Sequence, residues 1–484
     1  MAYQHGVYIQ EVPTSVSPPV ESLAGLPVVV GTAPVHLATD LSYVNKPFLA
    51  YTYEEAVAAL GYSSDWTKYT LCEFMKSHFQ LFAVAPVVFI NVLDPAVHKT
   101  AVADVATALV GGTITLTQSE IILSTLKVQN TGKTVTYVKG TDYTAAYNAE
   151  GKVVITRISG GAITTDTASL VLGFDQLNPG AVTATTIIGG VNGTTGAYTG
   201  LELVNKVFPL FRLVPGQIVA PGWSKDPTVA AVMKAKAASV NGLFKAMALT
   251  DIDTTSTGAD LYSEAPAWKN TNSYTSPYEI VCWPKIKLGD TYHLSTQLAG
   301  LICQTDAAND GIPYVSPSNK ALQASAAVVA SGTEVTLDPA QAAYLNGEGI
   351  VTALNFVGGW KSWGNRTGAY PGTSDVKDAF IPNRRMNNWI ANTIILTYWG
   401  RVDGPTNRRL IDSVVDELNI WLNGLTARGA LLGGRVEFRS SENSTTDLLA
   451  GKITFHLFQA SPVPGENLSF VLEFDTTYLS ALTV

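Results

Sequence analysis

The run Leu26-Pro27-Val28-Val29-Val30-Gly31 is apolar at every position, with no polar residue to mark an outward face. A strand of that kind requires cover on both sides, which only helices flanking a mostly parallel sheet supply. Pro86-Val87-Val88-Phe89-Ile90-Asn91-Val92 repeats the pattern, and Phe244 to Leu249 and Glu279 to Trp283 read as further buried strands. Helical periods lie between them. Tyr53 to Leu60 ends at Gly61, Trp66 to Ala83 follows, Asp226 caps a helix begun by Pro227 and running to about Val240, and Asp290 or Thr291 opens one reaching Ala308. Such alternation predicts an α/β layer.

Two stretches break the rhythm. From about residue 112 to 200 the chain turns rich in Thr, Val and Gly, with short strands at Thr134 to Val138 and Lys152 to Ile158. This predicts a small all-β module inserted into the α/β domain. The last 120 or so residues predict an α+β unit. It has a helix over Arg384 to Trp399, a longer one over Thr406 to Arg428 ended by Gly429, and a strand over Lys452 to Phe458. Leu410, Val414, Leu418, Leu422 and Leu425 recur at three to four residues, the stripe of a helix facing a core.

Both ends read as strands. Val7 and Ile9 alternate with Tyr8 and Gln10, and Leu468, Phe470, Leu472 and Phe474 share one face near the finish. Period two marks a strand with one buried side, whereas termini are usually polar and loose. Pro13 to Pro19 cannot be helix and reads as an extended linker. The predicted fold class is therefore an α/β central domain with an inserted all-β module, a C-terminal α+β domain, and extended N- and C-terminal strand arms. The expected division is 1–20 for the arm and linker, 21–98 plus 200–362 for the α/β domain, 99–199 for the insertion and 363–484 for the C-terminal unit with its arm.

Composition narrows the function. Hydrophobic residues make up 46% of the 484 and charged residues 14%, so a large core forms and disorder is excluded. So low a charge suits either a loop-rich α/β enzyme or a surface largely covered by neighbours. Net charge is −8 without a Lys/Arg run, which argues against direct nucleic-acid binding. Cys72, Cys282 and Cys303 are odd in number and lack CxxC spacing, which fits buried thiols in a reducing compartment. Met1 to His5 lacks the character of a secretory signal, and the longest apolar stretch, Phe82 to Leu93, is too short for a bilayer of about 20 residues. The missing signal and the α/β core argue against a secreted β-rich surface-layer protein or adhesin, and the short apolar stretch argues against membrane insertion.

Motifs for phosphate binding, zinc proteolysis, the nucleophile elbow or a dinucleotide are missing, and the six histidines are scattered. The one enzymatic candidate is Asp251-Ile252-Asp253 after the strand ending at Leu249, where α/β enzymes place ligands. With Asp306 and Asp310 these carboxylates could hold a hard cation and make a metal-dependent hydrolase. Asp is equally a residue of turns and helix caps, so both readings stand.

Six short motifs, in order, carry a resemblance. They are Gly6-Val7-Tyr8-Ile9-Gln10-Glu11-Val12-Pro13 with Val29 to Pro34, Ser316-Pro317-Ser318-Asn319, Leu345-Asn346 through Ile350, Trp363-Gly364-Asn365-Arg366-Thr367, Arg384-Arg385, and Leu449 to Lys452 with Pro462 to Asn467. Together they resemble the tail sheath proteins of contractile-tailed bacteriophages and related contractile injection particles, over residues 1–95 and 200–484. The resemblance implies a structural subunit, not an enzyme, without cofactor or metal. It implies arms built on Val7, Tyr8 and Ile9 and on Leu468, Phe470, Leu472 and Phe474 that add strands to neighbouring copies. It implies stacked hexameric rings around a tail tube protein, with baseplate and tail terminator proteins as further partners. Location in the virion tail, after assembly in the host cytoplasm, and contraction that delivers the genome follow from the same likeness. Arg408, Arg409 and Glu417 on the long helix are the positions it implies for tube contact.

Overall fold

Pro27–Gly31 forms a strand buried at all five residues, third from one edge of an eight-stranded sheet. The computed structural model describes residues 24–39 and 41–482. Across the sheet the order is Pro47–Ala50, Val87–Asn91, Pro27–Gly31, Gln217–Val219, Met247–Asp251, Glu279–Cys282, Ile350–Asn355 and Trp360–Trp363. The six interior strands pair in parallel and only the two edge strands run antiparallel. Alternate residues feed two separate cores. Val28, Val30, Val88 and Ile90 pack on one face, while Val29, Val87, Phe89 and Val219 pack on the other. That is why no polar residue interrupts the Val28–Val30 run.

Several boundaries differ from expectation for identifiable reasons. The helix expected from Trp66 begins at Thr70, because the Leu71 amide donates to the Thr32 carbonyl (3.0 Å), and Lys76–Leu81 continues it as π-helix. Phe244 closes a tight turn with Val240, two backbone bonds of 2.8 and 2.9 Å, so the strand starts at Met247 and ends on Asp251. Asp290–Tyr292 is a strand of a hairpin with Lys285–Leu288, so the next helix waits until Leu294. Pro339–Gly347, expected only as a turn, is a helix capped by Asp338 on the Gln341 amide (2.8 Å).

Between Lys99 and Leu177 the chain makes a four-stranded and a three-stranded antiparallel sheet. Leu116, Val128, Tyr143, Ile155, Leu170 and Phe174 are among the residues of a core these sheets share with no strand of the main sheet.

The C-terminal region pairs the helices Ile381–Tyr398 and Arg408–Ala427 across Trp389 and Trp421, whose ring centres lie 5.5 Å apart. Val414, Leu418, Leu422 and Leu425 are buried as the stripe predicts, and Leu410 is half-buried. Gly429, at φ 77°, ends the second helix in a conformation that favours glycine. A two-stranded antiparallel ribbon, Gly433–Glu437 with His456–Ala460, follows. It is shorter than the expected Lys452–Phe458 strand because the Asn443 side chain takes both the amide and the carbonyl of Thr454 (2.7 and 2.8 Å).

Leu468, Phe470, Leu472 and Phe474 form no strand within their own chain and are 77%, 86%, 97% and 78% exposed. A strand exists only with a ladder partner, and this segment finds none among the described residues. Val7, Tyr8, Ile9 and the Pro13–Pro19 linker lie outside the described residues.

Candidate functional site

Residues of four motif segments far apart in sequence, 316–319, 345–350, 363–367 and 462–467, meet around one cleft of about 640 Å³. Ser316 to Asn319 forms one wall. The Ser318 hydroxyl accepts from the Gly364 amide (3.0 Å), the Ser316 hydroxyl donates to the Asn365 side chain, and the Asn319 amide donates to the Ser362 carbonyl (2.7 Å). Asn346 forms another wall, donating to the carbonyls of Ile350 and Trp363 at 2.9 Å each. Gly364 sits at φ 139°, and a Cβ there would stand 2.9 Å from the Asn346 amide nitrogen, so this corner admits only glycine without displacement. Thr367 closes the turn through its amide on the Ala379 carbonyl (3.0 Å).

Arg366 projects from this corner. Its guanidinium lies 3.8 Å from the Phe380 ring centre and 4.2 Å from that of Tyr370, and it grips Glu466 by two bonds, Nε to Oε1 at 3.1 Å and Nη2 to Oε2 at 2.6 Å. Ring faces hold the planar cation while the fork meets the carboxylate, a pairing that lysine cannot reproduce. Glu466 is the residue from which the exposed terminal segment departs.

The paired arginines divide. Arg384 binds Asp378 (2.8 Å) and Asn388 (3.1 Å) beside the Tyr278 ring. Arg385 is buried and forms a bidentate pair with Asp306, Nη1 to Oδ1 at 2.9 Å. Burial pushes the Asp306 carboxyl above its ordinary range while Arg385 pulls it back, the balance remaining upward. Asp306 is therefore committed to Arg385 on the Ile381–Tyr398 helix.

Asp251 and Asp253 are likewise committed. Asp251 caps the Leu294–Ala307 helix, accepting from the Ser295 amide (3.0 Å), and also accepts from the hydroxyls of Ser224 (2.9 Å) and Ser295. Asp253 closes a turn on Thr255 and pairs with Lys225 (3.2 Å). Burial raises its carboxyl, but the Thr255 hydroxyl and the Lys225 charge bring it below the ordinary value. Among the described residues no three His, Cys, Asp or Glu side chains gather as metal ligands, and no helix is long and apolar enough to cross a membrane.

On the long helix, Arg408 and Arg409 are exposed, Arg408 pairing with Asp412 one turn on (2.9 Å). Glu417 differs from them. It is held within its own chain by Arg401 at 2.8 Å to both oxygens and by Ser413 at 2.9 Å.

The ribbon beside this site has one edge occupied. Asn419 takes the outward amide and carbonyl of Val436 (2.8 and 3.2 Å), while His456–Ala460 has no second ladder partner among the described residues. Sequence reasoning named the arginines and missed their partners. Glu466 stands 100 residues from Arg366 and Asp306 stands 79 from Arg385, separations at which no local pattern links two side chains.

No family model matches the chain. It is 29% identical over 489 residues to the tail sheath protein of Burkholderia phage BcepMu, covering 99% of this chain and 98% of that one. A protein of Pseudomonas aeruginosa strain UCBPP-PA14, named as a prophage major tail sheath protein, is 26% identical over 308 residues, covering 61% of this chain and 74% of its own. In fold the chain is similar to a chain of the six-fold symmetrised anti-feeding prophage baseplate (TM-score 0.59, 15% identity, 98% and 100% of the two chains). It is also similar to the sheath complex of the PVC extracellular contractile injection system in its contracted state (TM-score 0.57, 14% identity, 99% of each).

Proposed function

We propose that the chain, similar over nearly its whole length to a phage tail sheath protein, is a structural sheath subunit and not an enzyme, and that it polymerises around a tail tube and contracts to drive that tube through a host envelope for genome delivery. Subunits stack as hexameric rings in an extended, metastable lattice, with baseplate and tail terminator proteins at its ends. Assembly takes place in the host cytoplasm and the product resides in the virion tail.

One observation carries this reading. Four apolar side chains at period two, Leu468, Phe470, Leu472 and Phe474, stand in solvent, and the ribbon of the same chain has an open edge among the described residues. An isolated two-stranded ribbon is marginal in water, and an open edge is a template for another chain's strand. The terminal segment therefore seats on the ribbon of a neighbouring copy, where backbone bonds supply strength and alternate side chains supply specificity. Residues 1–12 do the same from the other end, and 13–19 act as the hinge.

The division into arm and linker (1–20), α/β body (21–98 and 200–362), outer module (99–199) and assembly unit (363–484) follows from this reading. The separate core of the inserted sheets supports it. Arg408 and Arg409 face the tube, with Glu417 orienting Arg401 rather than reaching out. Contraction draws on the difference in buried area between two packings of one fold. At about 25 cal/mol per Å² of apolar surface, a few hundred Å² more per subunit yields several kcal/mol, less the cost of desolvating polar groups.

Removing residues 1–12 tests the reading. The truncated protein should remain a folded monomer that forms no tubes in negative-stain images; long tubes would refute it.

A further inference from the structure

The two chain ends of the described body are gripped by one helix turn. Asn383, in the first turn of Ile381–Tyr398 and 2% exposed, donates its side-chain amide to the Ser461 hydroxyl (2.9 Å) and to the Ser461 and Pro462 carbonyls (3.3 Å each). Arg385 holds Asp306 and reaches the Ala24 carbonyl (3.5 Å), where residues 1–23 join the body.

The neighbouring backbone is equally committed. The Gly25 carbonyl accepts from Gln217 (2.8 Å), and that of Leu26 from the amides of Gly216 and Gln217 (2.8 and 2.9 Å). A Cβ on Gly216 would stand 2.1 Å from the Ala24 oxygen. Beyond Pro462 the terminal segment is caught once more, by the Arg366–Glu466 fork.

We propose that the N-terminal end of the Ile381–Tyr398 helix is a mechanical node, anchoring the roots of both arms through Asn383 and Arg385, and that Arg366 sets the direction in which the terminal arm leaves. Pull on either arm is then shared with one helix, tied by Asp306 to the α/β body, rather than borne by the strands alone. The exchangeable part of the terminal arm begins after Glu466. This rests on the reading that the arms pass to neighbouring copies.

The test uses the full chain and three variant groups. Arg385→Ala strands the buried Asp306 and threatens folding, so the informative variants lie at the terminal root: Asn383→Ala, Arg366→Lys and Glu466→Gln, with Glu466→Asp, which keeps the charge, as the conservative variant. Deletion of 468–482 is the third. Each root variant should fold with an unchanged far-ultraviolet spectrum. Its terminal segment should be cut by protease about fivefold faster, since cleavage tracks the population of the released segment. Its tubes should be short or of irregular pitch, and the conservative variant should leave both measurements near wild type. If the deletion abolishes tubes while root variants build tubes of wild-type length and pitch, the node is overturned and arm exchange stands. If the deletion leaves tubes intact, arm exchange falls and the node with it.

Discussion

Asn383 and Arg385 stand two positions apart on one helix, yet the first binds Ser461 near the chain's end and the second reaches Ala24 near its beginning. The structure thus closes a span of over four hundred residues through a single turn. Within it, Arg385 and Asp306 form a buried pair. Removing one partner of such a pair leaves a charge with neither water nor counter-ion. Arg385→Ala should therefore lower monomer stability by about 3–5 kcal/mol. Arg385→Leu combined with Asp306→Leu should recover most of it, as read by urea unfolding.

The terminal segment calls for the opposite result. Phe470 and Phe474 are 86% and 78% exposed in the single chain, so Phe470→Ser with Phe474→Ser should change monomer stability by no more than about 0.5 kcal/mol. Tube formation, followed by sedimentation, should be lost. A drop in monomer melting temperature would mean that these rings pack at home.

Gly216 provides a steric test. Its Cβ position lies 2.1 Å from the Ala24 oxygen and 3.0 Å from the Leu26 nitrogen. Gly216→Ala must push the start of the Pro27–Gly31 strand aside, at a cost of about 1–3 kcal/mol. Denaturant titration measures it.

Acid should weaken the monomer through His78. The ring is buried against Phe74 and neither nitrogen has a partner within the described residues, so burial lowers its pKa from 6.5 to about 3. Below pH 6.5 the unfolded chain takes up a proton that the folded chain refuses. Stability is therefore full above pH 6.5 and falls as the pH drops toward 3. At pH 5 the loss is about 2 kcal/mol, and His78→Leu should remove that part of the slope in a series of thermal scans.

How much of this was legible in the sequence depended on range. Val28–Val30 and Val87–Ile90 read as doubly covered strands because both faces of each are apolar, and the Val414 to Leu425 stripe read as a buried helix face for the same local reason. Boundaries failed where a distant group claimed the backbone. Asn443 took Thr454 out of the expected strand, and Thr32 delayed the helix at Thr70. The candidate site was legible as a set of motifs but not as a site, since nothing in Trp363 to Thr367 announces that Arg366 meets Glu466. Asp251 could be read as ligand or cap, and only the position of Ser295 decided it.

The most direct measurement is a density map of the assembled polymer at side-chain resolution. The account predicts residues 468–474 as a strand on the His456–Ala460 edge of an adjacent copy, with Glu466 still on Arg366 of its own chain. Density in which that segment returns to the ribbon of its own polypeptide would contradict it.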